Sequence, residues 1–265
     1  MIKRFHEAPI SIFKKVQELT DGDYALVHLL DANEEYRNLF FEARDMGREI
    51  ILDNSVYELG PNFDSDKYAY WVYTLRPTYY IVPDVPEDSY AHINKFLQFI
   101  KKYPSLPGKR IGVVQGESLG AMLECYRTLE PLCDKIAISM NYNAWKRSNF
   151  NVPTEPQKLI YCRQSFLDIM DSYNLINRNK PHHLLGVQLP QELRYYGDRY
   201  SWIDSVDTSN PIVHGYEGVR YDGFRGLRNK STTLLHSIID ASVTDDQWQD
   251  IKYNINMFRR ICDDF

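Results

Sequence analysis

The sequence predicts a (β/α)8 TIM-like barrel in a single domain over residues 1–265, and three observations predict it. Short apolar runs alternate with amphipathic stretches and carry no hairpin signals, which argues for a parallel sheet. Seven or eight such units point to closure, and 265 residues fit the roughly 250 that such a barrel takes. Six of the runs also stop on a polar residue: Asp53, Asp84, Gln115, Ser139, Gln188 and Asp207. The carboxyl ends of parallel barrel strands share one mouth, so six polar ends predict one site.

Tyr24–Leu30 reads as a buried strand, with His28 a core residue, and Asp31–Met46 as the helix after it. Glu49–Leu52 is the second strand and delivers Asp53. A helix over Ser65–Leu75 leads to the Thr78–Val82 strand and Pro83-Asp84. Ser89–Lys102 is amphipathic at helical spacing. Arg110–Val114 is a strand closing on Gln115, Leu119–Leu129 a helix, and Lys135–Ile138 a strand running into Ser139. Asp53, Asp84 and Gln115 are spaced 31 residues apart, about one strand-helix unit each.

Tyr142–Pro156, polar and rich in Asn, is the longest irregular stretch and reads as an active-site loop. Gln157–Tyr173 is helical, His182–Val187 a strand followed by a short helix after Pro190, and Trp202–Val206 a strand ending on Asp207. Pro211–His214 reads as the eighth strand or its remnant. Two helical stretches, Thr232–Ala241 and Asp245–Cys262, close the chain. The core motifs thus fall within about 24–215, and a C-terminal helical segment occupies about 230–265.

A net charge of −5 lacks the basic footprint of a general nucleic-acid binder, so any such contact must be a local patch. Arg220 to Lys230, which interleaves Arg220, Arg225, Arg228 and Lys230 with Tyr221, Phe224 and glycines, is the best candidate for tracking phosphates. A solvated surface loop is the competing reading. Lys146-Arg147 is a weaker candidate. The four cysteines are scattered without the close pairing of a zinc site and read as free thiols of a reducing cytosol. No run approaches a signal peptide or the ~20 apolar residues of a membrane span, so a soluble cytoplasmic protein is expected.

Asp53-Asn54-Ser55 is ordinary turn chemistry, and alone Asp53 reads as a turn acid. Its companions change that. Two carboxylates at one mouth, Asp53 and Asp207, suit substitution at a sugar carbon, one as nucleophile and the other as proton carrier. The same pair also suits a divalent cation. Asp84 and Gln115 can read the edge of a heterocyclic base, and Tyr57 can stack on its face. His182-His183 resembles a metal pair by residue type only; neighbours on a strand face opposite ways, which favours a structural role.

Leu52-Asp53-Asn54-Ser55-Val56-Tyr57 resembles the Asp-Ser-Gly-Gly-Phe/Tyr motif of tRNA-guanine transglycosylases. Val113-Val114-Gln115-Gly116 is similar to their Val-Gln-Gly-Gly, and Leu185-Gly186-Val187-Gln188-Leu189-Pro190 to Met-Gly-Val-Gly-x-Pro. Asp207-Thr208-Ser209-Asn210-Pro211 is similar to their nucleophile motif, Asp-Cys-Val-x-Pro. The motifs keep the family's order over roughly residues 50–215. The zinc-binding Cys-x-Cys-x-x-Cys subdomain is absent, as are the basic residues that follow the nucleophile motif. Both departures fit the short phage-type relatives that insert 7-deazaguanines into DNA.

The resemblance implies a double displacement without a cofactor or metal. Asp207 would attack C1′ of a guanine nucleotide, while Asp53 would protonate the departing base and deprotonate the incoming one. Asp84, Gln115, Ser139 and Gly186 would hold the base, with Tyr57 stacked on it. The implied partners are DNA ahead of tRNA, and a free 7-deazaguanine such as preQ0 or a relative. A homodimer is compatible with the sequence, and the location would be a host cytoplasm if the gene is phage-borne. The alternatives are tRNA-guanine exchange and an N-glycoside hydrolase on the same scaffold.

Overall fold

Eight parallel strands close on themselves in chain order. They are β1 (Lys3–Phe5), β2 (Gly22–Leu26), β3 (Glu49–Asp53), β4 (Tyr79–Ile81), β5 (Lys109–Val113), β6 (Lys135–Ser139), β7 (His182–Leu185) and β8 (Ile203–Asp207). The computed structural model describes residues 1–140, 145, 154–221, 231 and 233–263. Closure is made by β8 on β1, where Phe5 lies opposite Asp207. Helices between the strands bury one face each against the barrel, as in Ser89–Lys102, where His92, Phe96 and Phe99 are buried. Among the described residues, no helix is long and apolar enough to cross a membrane.

The expected eighth strand is corrected. Pro211–His214 lies inside a helix, Asn210–Tyr216, with its proline in the first turn, where a missing N–H costs nothing. The true eighth strand is β1, at the other end of the chain. It is three residues long, and its Arg4 is buried only because Asp21 and Asp263 pair with it at 2.6 and 2.9 Å.

Tyr24–Leu30 is also divided. The strand ends at Leu26, and Val27–Ala32 winds into a helix, because a continuous apolar run does not by itself separate buried strand from buried helix. The expected Asp31–Met46 helix starts afresh at Glu34, where the Asn33 side chain accepts the Tyr36 N–H at 3.0 Å. Of Thr232–Ala241, the described part holds only a short 3-10 turn, Leu235–Ile238.

The closing helix, Asp245–Asp263, braces the region after β8. Gly215 allows close approach, since a Cβ there would lie 2.4 Å from the Ile251 nitrogen. Asn254, fully buried, donates to the Val219 and Pro211 carbonyls at 2.8 and 3.3 Å and accepts the Tyr221 N–H at 2.7 Å. The segment following Asp207 is thereby fixed to the barrel wall.

Candidate active site

All six polar strand ends line one cavity of about 410 Å³ at the carboxyl end of the barrel: Asp53, Asp84, Gln115, Ser139, Gln188 and Asp207. A volume in this range suits a small-molecule ligand. Tyr57 and Gly186 line it too. Tyr57 stands at its rim, 81% exposed.

At β3, turn chemistry and site chemistry coincide. Asp53 Oδ1 accepts the Ser55 N–H at 2.6 Å, and Asn54 Oδ1 accepts the Val56 N–H at 2.9 Å. Ser55 takes a left-handed conformation, φ 52°, which favours glycine. The turn presents Asp53 half-buried, with Tyr24 donating its hydroxyl to Oδ2 at 3.0 Å. Burial, and then the nearby Glu58 charge, push the Asp53 carboxyl up to about 8; the Ser55 and Tyr24 hydrogen bonds oppose that rise, and Asp84 adds to it. Asp53 therefore carries its proton at neutral pH.

Asp84 and Gln115 form a tied pair. Gln115 donates from Nε2 to Asp84 Oδ2 at 2.6 Å, and Asn54 donates from Nδ2 to Asp84 Oδ1 at 3.0 Å. The Glu87 N–H to Gln115 Oε1, 3.1 Å, fixes which end of the amide faces Asp84. Each carboxylate oxygen keeps a second lone pair for a ligand N–H.

On β7 and β8 the arrangement differs. Asp207, 5% exposed, accepts the Gly186 N–H at 2.9 Å on Oδ1, and His183 Nε2 lies 2.9 Å from the same atom. No hydrogen bond from the described residues reaches Oδ2. Gly186 adopts φ 68°, a conformation that turns its N–H toward the carboxylate at no steric cost. Beneath this corner, the fully buried Arg163 clamps Glu192 through two bonds of 2.7 and 2.6 Å and donates to the Leu185 and Ile138 carbonyls.

Three site residues escaped the sequence reading. Glu7, two residues past β1, lines the same cavity; burial first, and then the charges of Asp207, Asp53 and Glu58, hold its carboxyl well above the usual range. Its signal was the polar residue after a strand, missed because β1 went unrecognised. Tyr24 joins the two sides: its hydroxyl is on Asp53 and its ring is stacked on His183 at 6.4 Å. His183, the third, is fully buried beside Asp207. Alternation sends His182 outward, against Tyr126 and Trp202, and His183 inward, onto Asp207.

Among the described residues, no group of three or more His, Cys, Asp or Glu is arranged to hold a metal ion. Arg220 is engaged away from the cavity, pairing with Asp250 at 2.5 Å and stacking on Tyr253. Arg225, Arg228, Lys230, Lys146 and Arg147 lie outside the described residues.

No family model and no curated protein sequence matches the chain. Among solved structures it is similar to a methylaspartate ammonia lyase from Clostridium tetanomorphum, the L384A mutant, at 9% identity and a TM-score of 0.47. That match covers all of this chain and 59% of the lyase, so the chain spans under two thirds of its length. Nothing of the lyase's chemistry passes to this chain, and the barrel assignment stands on the strand pairing itself.

Proposed function

We propose that this chain is a base-exchange transglycosylase that replaces guanine in nucleic acid, DNA ahead of tRNA, with a 7-deazaguanine. The observation that carries the reading is the contrast of two carboxylates in one base-sized cavity. Asp53 holds a proton, its carboxyl pushed up to about 8. Asp207 has one oxygen fixed by donors and the other unengaged by the described residues. A proton-bearing acid beside a positioned carboxylate is the pairing that substitution at an anomeric carbon uses.

Two backbone details support the resemblance. Ser55 takes a glycine-like conformation at the position where the resembled motif has glycine. Gly186, in the segment similar to Met-Gly-Val-Gly, supplies an N–H to Asp207.

In the forward step Asp207 Oδ2 forms a bond to C1′ as the C1′–N9 bond breaks. The electron pair leaves with guanine, which takes the Asp53 proton. The incoming 7-deazaguanine then gives its N9 proton to the Asp53 carboxylate, and N9 attacks C1′ and releases Asp207. Asp84 and Gln115 would read the base edge, and Tyr57 would close over it from the rim. In a duplex the target nucleotide must first leave the stack, at a cost of a few kcal/mol.

The test is uptake of labelled guanine or labelled 7-deazaguanine into DNA and, separately, into tRNA. Label in DNA is the expected result. Label in neither polymer rejects exchange, and guanine release without uptake identifies a hydrolase.

A further inference from the structure

We propose that His183 is a positioning residue for Asp207, its Nδ1 proton held in place by the buried Ser205 and Lys135 and the half-buried Asp204. The argument is one of proton bookkeeping. Ser205 Oγ, fully buried, has three polar neighbours, each at 2.9 Å: Lys135 Nζ, Asp204 Oδ1 and His183 Nδ1. A hydroxyl has one proton to give and two lone pairs to receive with. Lys135 also donates to Asp204 Oδ2 at 2.8 Å. That ion pair favours its ammonium form against the burial that lowers its pKa, and an ammonium only donates.

The Asp204 carboxylate only accepts, so the Ser205 proton goes to it. If Ser205 instead gave its proton to His183, its oxygen would face the Asp204 oxygen lone pair to lone pair. His183 must therefore donate from Nδ1 to the remaining lone pair of Ser205. One proton is then left to lie between His183 Nε2 and Asp207 Oδ1, 2.9 Å apart. This inference rests on the proposed function at one point. A carboxylate that attacks C1′ does not hold that proton, so Nε2 donates it to Oδ1 and His183 pins that oxygen.

The fold has a device for building this arrangement. Between β7 and β8, His182 pairs with Ile203 but His183 pairs with Ser205, a register shift that leaves Asp204 as the extra residue. Such a bulge re-aims a side chain next to a site. Here it brings the Asp204 carboxylate beside its neighbour's hydroxyl. Lys135 reaches the same point from β6 and rests over the Tyr79 ring at 4.3 Å. The other rings packed on His183 are Tyr24 and Phe5, so no further charged side chain makes a ring contact with the imidazole among the described residues.

The experiment is the imidazole nitrogen-15 spectrum of the full-length, substrate-free protein, with His183 assigned through bonds and by loss of its signals in His183→Gln. The expected result is a protonated Nδ1 that exchanges slowly with solvent, and whose signal moves in Ser205→Ala. An unprotonated Nδ1 overturns the proposal, and the wild-type spectrum alone decides it. A kinetic arm uses trapping of the covalent adduct. His183→Gln, which still offers an N–H to Oδ1, should retain about tenfold more adduct formation than His183→Phe; equal losses overturn the positioning role. If wild type traps no adduct on any polymer, the exchange reading fails while the spectrum still reports on the arrangement around His183.

Discussion

Asp53 and Asp207 are the same side chain at the ends of two strands of one barrel, and their surroundings are opposite in character. The β3–β5 wall is crowded with acids. Asp53 is half-buried beside Glu58 and Asp84, and two hydrogen bonds do not prevent its carboxyl from rising to about 8. The β7–β8 wall supplies donors. Gly186 N–H and His183 meet on one oxygen of Asp207, and the Arg163–Glu192 pair stiffens the backbone beneath. The difference teaches that the role of an acid here is read from its neighbours. Burial with like charges raises a carboxyl's pKa, and donors fix a carboxyl's orientation.

The comparison breaks most visibly at Asp207. Asp207→Asn keeps the shape and removes the proposed nucleophile, and should lower single-turnover adduct formation by about 10³-fold or more. Asp53→Asn removes only the proposed proton donor, and should slow base departure by about 10²-fold. Equal losses would erase the distinction between the walls. The next effect is on stability. Arg163→Met strands a fully buried Glu192, which costs about 3–5 kcal/mol and lowers Tm by on the order of 10 °C. Thermal melts of the variant and wild type check this. A small change would mean that the β7–β8 corner does not depend on the pair.

How much of this was legible follows from the range of the interactions. Asp53, Asp84 and Gln115 announce themselves locally, each as the first polar residue after an apolar run, one strand-helix unit apart. Their convergence then follows from barrel geometry alone. β1 did not announce itself, because Lys3-Arg4-Phe5 hides its burial behind ion pairs to Asp21 and to Asp263 near the far end of the chain. With β1 unseen, Glu7 lost the signal that found the other acids. His183 was hidden for a related reason. Alternation along β7 places it inside, but its importance comes from Asp207 and Ser205 on another strand and from a bulge that no local pattern records.

The proton on Asp53 gives a subtler test through pH. Its folded value of about 8 lies above its ordinary value of 3.8. Between the two the folded state holds a proton that the unfolded chain has lost, so this group erodes stability as pH rises from about 4 to about 8. Asp53→Asn removes that erosion while keeping an acceptor for the Ser55 N–H. The variant should match wild type near pH 4 and melt on the order of 10 °C higher at pH 8. A constant difference across the range would mean that Asp53 does not titrate in that window.

Tyr24→Phe makes the smallest change and acts where the two walls meet. The substitution keeps the ring stacked on His183 and deletes the hydroxyl that donates to Asp53 Oδ2 at 3.0 Å. That bond favours the ionised carboxylate, so its loss should raise the Asp53 pKa further. If base departure needs the Asp53 proton, activity falls on the alkaline side as Asp53 ionises, and in Tyr24→Phe this limb should move to higher pH. The rate at neutral pH should change little, because Asp53 is protonated there in both proteins. A limb that stays in place in Tyr24→Phe belongs to another group. Glu7 is the next to test, since it lines the same cavity and burial also raises its pKa.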